Sequence, residues 1–192
     1  MAFTLRDDLA PELYPLSWLI GTWHGFGVVG YEGIAERPMV HELTFDHDGG
    51  PYLRAVSTLW EADPDHPATV SHEQTGSAGY AALAKGTQWS TETQYWRPVA
   101  SEQQQGGMRV ELEVLAADPA GHLVEYVGAA LGPRIDLASD AVISTRTAAP
   151  LTAATYMFGL VASDLLWVKE IAAFGQSLGP YGSGRLSRVE ES

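Results

Sequence analysis

Along most of the chain apolar and polar residues alternate with a period of two. The stretch 108–115 is the cleanest example: Met108, Val110, Leu112 and Val114 fall on one side, and Arg109, Glu111 and Glu113 on the other. Such a segment is a strand with one dry face and one wet face. The same pattern predicts strands over 23–29, 39–47, 52–61, 87–97, 122–130, 134–144, 154–160, 165–174 and 178–189. Asp48-Gly49-Gly50-Pro51, Gly132-Pro133, Ser163-Asp164 and Gly175 supply turns between them, and Pro98 ends the 87–97 strand. Helical periodicity is almost absent. Residues 9–19, with Pro11 and Pro15, read as a short helical turn closing over a core.

About ten antiparallel strands, each with one apolar face, are best satisfied by an all-β closed barrel, which leaves no exposed edge. A β-sandwich is the alternative. One segment, 63–86, interrupts the rhythm with Pro64, Pro67, His66, His72 and an alanine run. It is too long for a tight hairpin, and reads as a mobile surface insertion or as a flap over the barrel mouth. Its two histidines, with Asp63, Asp65 and Glu73 nearby, are a weak metal signal because no regular element fixes their geometry.

Composition narrows the function. The 192 residues suit one domain, and 45% hydrophobic residues suffice for one core or one lined cavity. A net charge of −13 with no basic cluster argues against nucleic acid and against anionic membrane surfaces. The absence of cysteine excludes disulfides, thiolate nucleophiles and cysteine-based metal sites. The first eight residues carry no apolar run of the signal-peptide kind, so a cytoplasmic location is the default expectation.

Gly21-Thr22-Trp23-His24-Gly25-Phe26-Gly27 has the form GxWxGxG and follows Pro15-Leu16-Ser17-Trp18-Leu19-Ile20. Physically, the Trp23 indole can plug one end of a barrel, while Gly25 and Gly27 let the first strand coil enough to close it. With Tyr31 and Ile34, with Tyr95-Trp96-Arg97-Pro98, and with Leu178-Gly179-Pro180-Tyr181 near the end, this opening resembles the nitrobindins from about residue 15 to about residue 189. The resemblance implies a ten-stranded barrel, ferric haem b held by a histidine on the last strand, nitric oxide and peroxynitrite chemistry, and a homodimer.

The residues that carry that chemistry differ here. On the resemblance, Tyr181 stands where the iron-ligating histidine belongs, Ser90 where many members have a pocket-side histidine, Trp89 where a smaller side chain sits, and Gly33 where the family has a pocket threonine. No histidine follows His122. Tyrosine ligates ferric haem only as phenolate, which needs a nearby cation. Arg185 shares the face of Tyr181 on a regular strand but lies about 13 Å along it. A bulge at Gly182 or Gly184 would change that count. Period two also turns His41 inward with Met39, Leu43 and Phe45, and sets Lys169 in parity with Trp167, Ile171 and Ala173. His41 reads as a buried, hydrogen-bonded histidine and Lys169 as a rim residue reaching solvent, although an inward lysine would anchor a ligand carboxylate. His24 is expected to face solvent.

The leading expectation is a non-catalytic barrel holding a small apolar or amphipathic ligand, with no cofactor and no metal. Its candidate pocket comprises Gly33, His41, Trp89, Ser90, Ile171 and Tyr181. Two alternatives stand beside it: a haem b protein with Tyr181 or His41 as ligand, acting on nitric oxide or peroxynitrite, and an interaction module whose cavity is filled by Trp89 and Tyr181.

Overall fold

The structure is a computed structural model that describes residues 8–71 and 73–190. A 3-10 segment, Pro11–Leu19, leads into ten strands: β1 (Gly21–Tyr31), β2 (Ile34–Asp46), β3 (Leu53–Ala62), β4 (Lys85–Gln104), β5 (Gly107–Ala117), β6 (His122–Leu131), β7 (Arg134–Ser144), β8 (Leu151–Val161), β9 (Asp164–Ala173) and β10 (Gly179–Arg188). One helix, α1 (Gly76–Ala82), lies between β3 and β4. Each strand pairs antiparallel with its chain neighbour, and β1 closes on β10 from Trp23↔Arg188 to Val29↔Gly182. The barrel is closed, as the alternation predicted, and the sandwich is not formed.

One end is sealed from the sequence side that begins it. Leu13, Leu16 and Leu19 of the 3-10 segment are fully buried beneath the barrel, and Trp23 is only 1% exposed. The Trp23 indole Nε1 donates to the Leu19 carbonyl at 2.8 Å. The Arg188 guanidinium lies 4.2 Å over the Trp23 ring and donates to the carbonyls of Trp18 and Ile20. The last strand thereby clamps the first helical turn. At Gly25 a Cβ would sit 2.0 Å from the Arg185 carbonyl oxygen, so only glycine allows β10 to approach β1 this closely. A similar demand comes from inside: Gly27, Gly182 and Gly184 all leave room for the Trp167 indole.

Three expectations change. Pro98 does not end its strand: β4 runs on to Gln104, with a bulge between Pro98 and Ala100 absorbing the missing N–H. Within the 63–86 segment, residues 76–82 form a helix, α1, while 64–71 are irregular and mostly exposed. The helix folds back onto the outer wall, where Gly79 sits against the Phe26 ring and Gly76 against the backbone of Leu186 and Ser187. Phe26, Val40 and Leu83 form a small second core there, with Trp60, Val70 and Tyr80 packed around it. The buried Asp164 carboxylate pins this cover by accepting from Gly76 N (3.1 Å), Arg185 Nε (2.6 Å) and Ser187 Oγ (2.6 Å). The third change follows from the second. His24 is only partly exposed, stacking on Tyr80 with ring centroids 4.5 Å apart.

Candidate ligand cavity

At the end opposite Trp23 the barrel opens into a cavity of about 450 Å³. Ile34, Leu59, Ile171, Ala173 and Phe174 give it apolar walls, and the loops at 118–120 and 149–151 complete its rim. Trp89 and Tyr181 line this space without filling it.

Two bulges shape the mouth. Register slips between Leu59↔Ser90 and Trp60↔Gln88, leaving Trp89 as the extra residue, and again between Pro180↔Glu170 and Gly182↔Lys169, leaving Tyr181 as the extra one. A bulge re-aims the side chain it carries. Here both are turned into the cavity, and Trp89 Nε1 donates to the Tyr181 hydroxyl at 2.8 Å. The bond joins β4 to β10, which are separated in the barrel wall by β3, β2 and β1. The bulge at Tyr181 also reverses the parity of the rest of β10. Arg185 therefore does not share the face of Tyr181; it points outward to Asp164.

Deeper in, Lys169 does not reach out to solvent. Its Nζ lies 3.2 Å from Glu92 Oε2 and 4.8 Å over the Tyr156 ring, and the two charged side chains are 17% and 13% exposed. Burial alone would pull its ammonium down. The Glu92 carboxylate, with Tyr126 and Tyr156 beyond it, holds it well above the usual lysine range instead. Burial likewise pushes the Tyr126 phenol up to about 12 and raises that of Tyr156.

Of the candidate pocket residues, Trp89, Ser90, Ile171 and Tyr181 line the cavity. Gly33 does not: it lies exposed in the β1–β2 turn at φ +81°, with open space around it, and its neighbour Ile34 faces the cavity instead. His41 does point inward, but it lies behind the cavity wall, edge-on to Trp167 at 5.1 Å between centroids. Its Nε2 is 2.8 Å from Ser57 Oγ, while Nδ1 is buried without a hydrogen-bond partner among the described residues. Burial holds its imidazole down to about 3, so it is neutral at pH 7.

Sequence reasoning missed Glu92, Tyr156 and the Asp118–His122 pair. Glu92 was within reach, since it shares strand parity with Ser90. His122 sits at the rim, with Nδ1 3.1 Å from Asp118 Oδ2 and Nε2 2.9 Å from the Ala149 carbonyl. Among the described residues no group of three or more histidines, aspartates or glutamates could hold a metal ion. His66 Nδ1 lies 2.8 Å from Asp63 Oδ2, and His72 lies outside the described residues. No helix among the described residues is long and apolar enough to cross a membrane.

The family model described as the THAP4-like, heme-binding beta-barrel domain matches residues 12–188. The chain belongs to this family. A ferric nitrobindin-like protein of Beutenbergia cavernae is 44% identical over 98% of this chain and all of its own length. One of Kineococcus radiotolerans is 40% identical over 98% of this chain and 99% of that relative. A peroxynitrite isomerase of Leifsonia xyli is 37% identical over 97% of this chain and 98% of its own. Among solved structures, Rv2717c from M. tuberculosis superposes with a TM-score of 0.69 at 26% identity, covering 95% of this chain and 99% of that one. The nitrobindin resemblance is thereby established across nearly the whole chain.

Proposed function

We propose that this family member is a cytoplasmic binding protein for a small apolar or amphipathic ligand, and that it does not hold haem b as the family's haem proteins do. One observation carries the reading: Tyr181, which the sequence resemblance sets at the family's iron-ligating position, has its hydroxyl tied to Trp89 Nε1 across the cavity at 2.8 Å. The cations that would favour a phenolate are engaged elsewhere, Lys169 with Glu92, Arg37 with Glu61 and Arg185 with Asp164. The two described histidines at or beside the cavity, His41 and His122, do not fit a haem iron either. His41 lies behind Trp167, and both nitrogens of His122 already face oxygen acceptors. The apolar walls and the few polar groups that remain suit a compact organic molecule.

Native mass spectrometry of freshly purified protein, followed by titration with the uncharged dye Nile red, tests this. A bound small mass or one-to-one, saturable dye binding is expected. Protein that carries nothing and leaves the dye unbound would contradict the proposal.

A second reading is favoured by the relatives named peroxynitrite isomerase. In it the protein is a haem enzyme acting on peroxynitrite, with Tyr181 or His41 as the required ligand. It expects coloured protein from haem-supplemented cells, and colourless protein refutes it.

A further inference from the structure

We propose that Glu92 sets the charge selectivity of the cavity: by occupying Lys169 it makes the cavity accept uncharged amphipaths and turn away carboxylates. The inference rests on the small-ligand reading above and deepens it.

Among the described residues lining the cavity, Lys169 is the only lysine or arginine. Left alone, an ammonium over the Tyr156 ring would be an anchor for any anion entering an apolar chamber. Glu92 prevents this by taking the ammonium at 3.2 Å. A ligand carboxylate reaching Lys169 would have to lie beside the Glu92 oxygens, and two carboxylates sharing a site resist joint ionisation. The other lining acid, Asp118, is paired with His122 at 3.1 Å.

Glu92 cannot easily swing aside, because a buried relay orients it. The fully buried Trp96 donates from Nε1 to Gln94 Oε1 at 2.7 Å, and Gln94 Nε2 donates in turn to Glu92 Oε1. That leaves Oε2 for Lys169. With Glu92 and the Tyr126 hydroxyl as partners, the ammonium keeps one N–H for a neutral acceptor, such as a hydroxyl or carbonyl oxygen. The favoured ligand class is therefore an uncharged molecule with an apolar body and one oxygen-bearing head.

The test displaces Nile red with 1-decanol and with decanoate, which share a chain and differ in head charge. Any apolar cavity disfavours a carboxylate, so the deciding quantity is the change between wild type and Glu92→Gln. We expect decanoate to gain about tenfold or more in affinity in Glu92→Gln, with decanol changing far less. Adding Lys169→Met to that variant should erase the gain, each variant's displacement curves being referred to its own measured Nile red affinity. Unchanged decanoate affinity with dye binding intact would overturn the selectivity while leaving the cavity reading standing. So would a wild type that binds decanoate as tightly as decanol. If wild type and both variants bind no dye, the small-ligand reading falls and the inference falls with it.

Discussion

Replacing Lys169 by methionine removes one half of an ion pair whose side chains are 17% and 13% exposed. Methionine keeps much of the aliphatic stem but leaves the Glu92 carboxylate with Gln94 as its remaining partner. Stranding one charge of a buried pair costs about 3–5 kcal/mol, and the adjoining cavity places this case at the lower end, about 3 kcal/mol. For a chain of this size each kcal/mol moves Tm by about 2–4 °C, so a fall of roughly 6–12 °C is expected. Replacing both partners, as Lys169→Met with Glu92→Leu, removes the stranded charge and should return stability to within about 1 kcal/mol of wild type. Urea denaturation of wild type, both single variants and the double variant closes the cycle. A Lys169→Met protein as stable as wild type, or a double variant as weak as the summed singles, would refute the claim that the two charges form a desolvated, mutually dependent pair.

Other perturbations follow from the same geometry. His41 has its value lowered from 6.5 to about 3, so below pH 6.5 the unfolded chain takes up a proton that the folded chain refuses. Its contribution is complete above pH 6.5 and declines toward pH 3, by up to about 1.4 kcal/mol per unit. His41→Gln should flatten that slope between about pH 6.5 and 5, and urea midpoints with equal slopes in both proteins would contradict this. Gly25→Ala places a methyl group against the Arg185 carbonyl and should cost about 3 kcal/mol or more, while Gly33→Asn, in open space but at φ +81°, should cost no more than about 1 kcal/mol because Asn tolerates the left-handed region. Asp164→Asn loosens the anchor of α1, and limited proteolysis should then cut within 63–75 several times faster without comparable loss of the barrel's far-ultraviolet signal.

Much of the barrel can be read from the sequence because period-two alternation is a property of the strand itself. Val110, Leu112 and Val114 state their inward face without help from distant residues, whereas Met108, at the start of the same strand, is exposed. The cavity depends on features that alternation does not encode. Trp89 and Tyr181 face each other only because each is an extra residue in its strand, and a bulge is set by neighbouring strands as well as by local sequence. Parity correctly turned Lys169 inward, but its burial became intelligible only with Glu92 opposite, 77 positions away in the chain. The helix within 63–86 was missed for a similar reason. Its few apolar residues look too sparse to fold alone, yet Phe26 and Val40 on the outer wall complete a core for them.

The most direct test of a barrel that keeps the family fold without its haem is a hemin titration of purified protein followed through the Soret band. The expected result is weak, unsaturable binding, unchanged by Tyr181→Phe and by His41→Gln. Tight one-to-one binding with a tyrosinate-type spectrum that disappears in Tyr181→Phe would contradict the proposal.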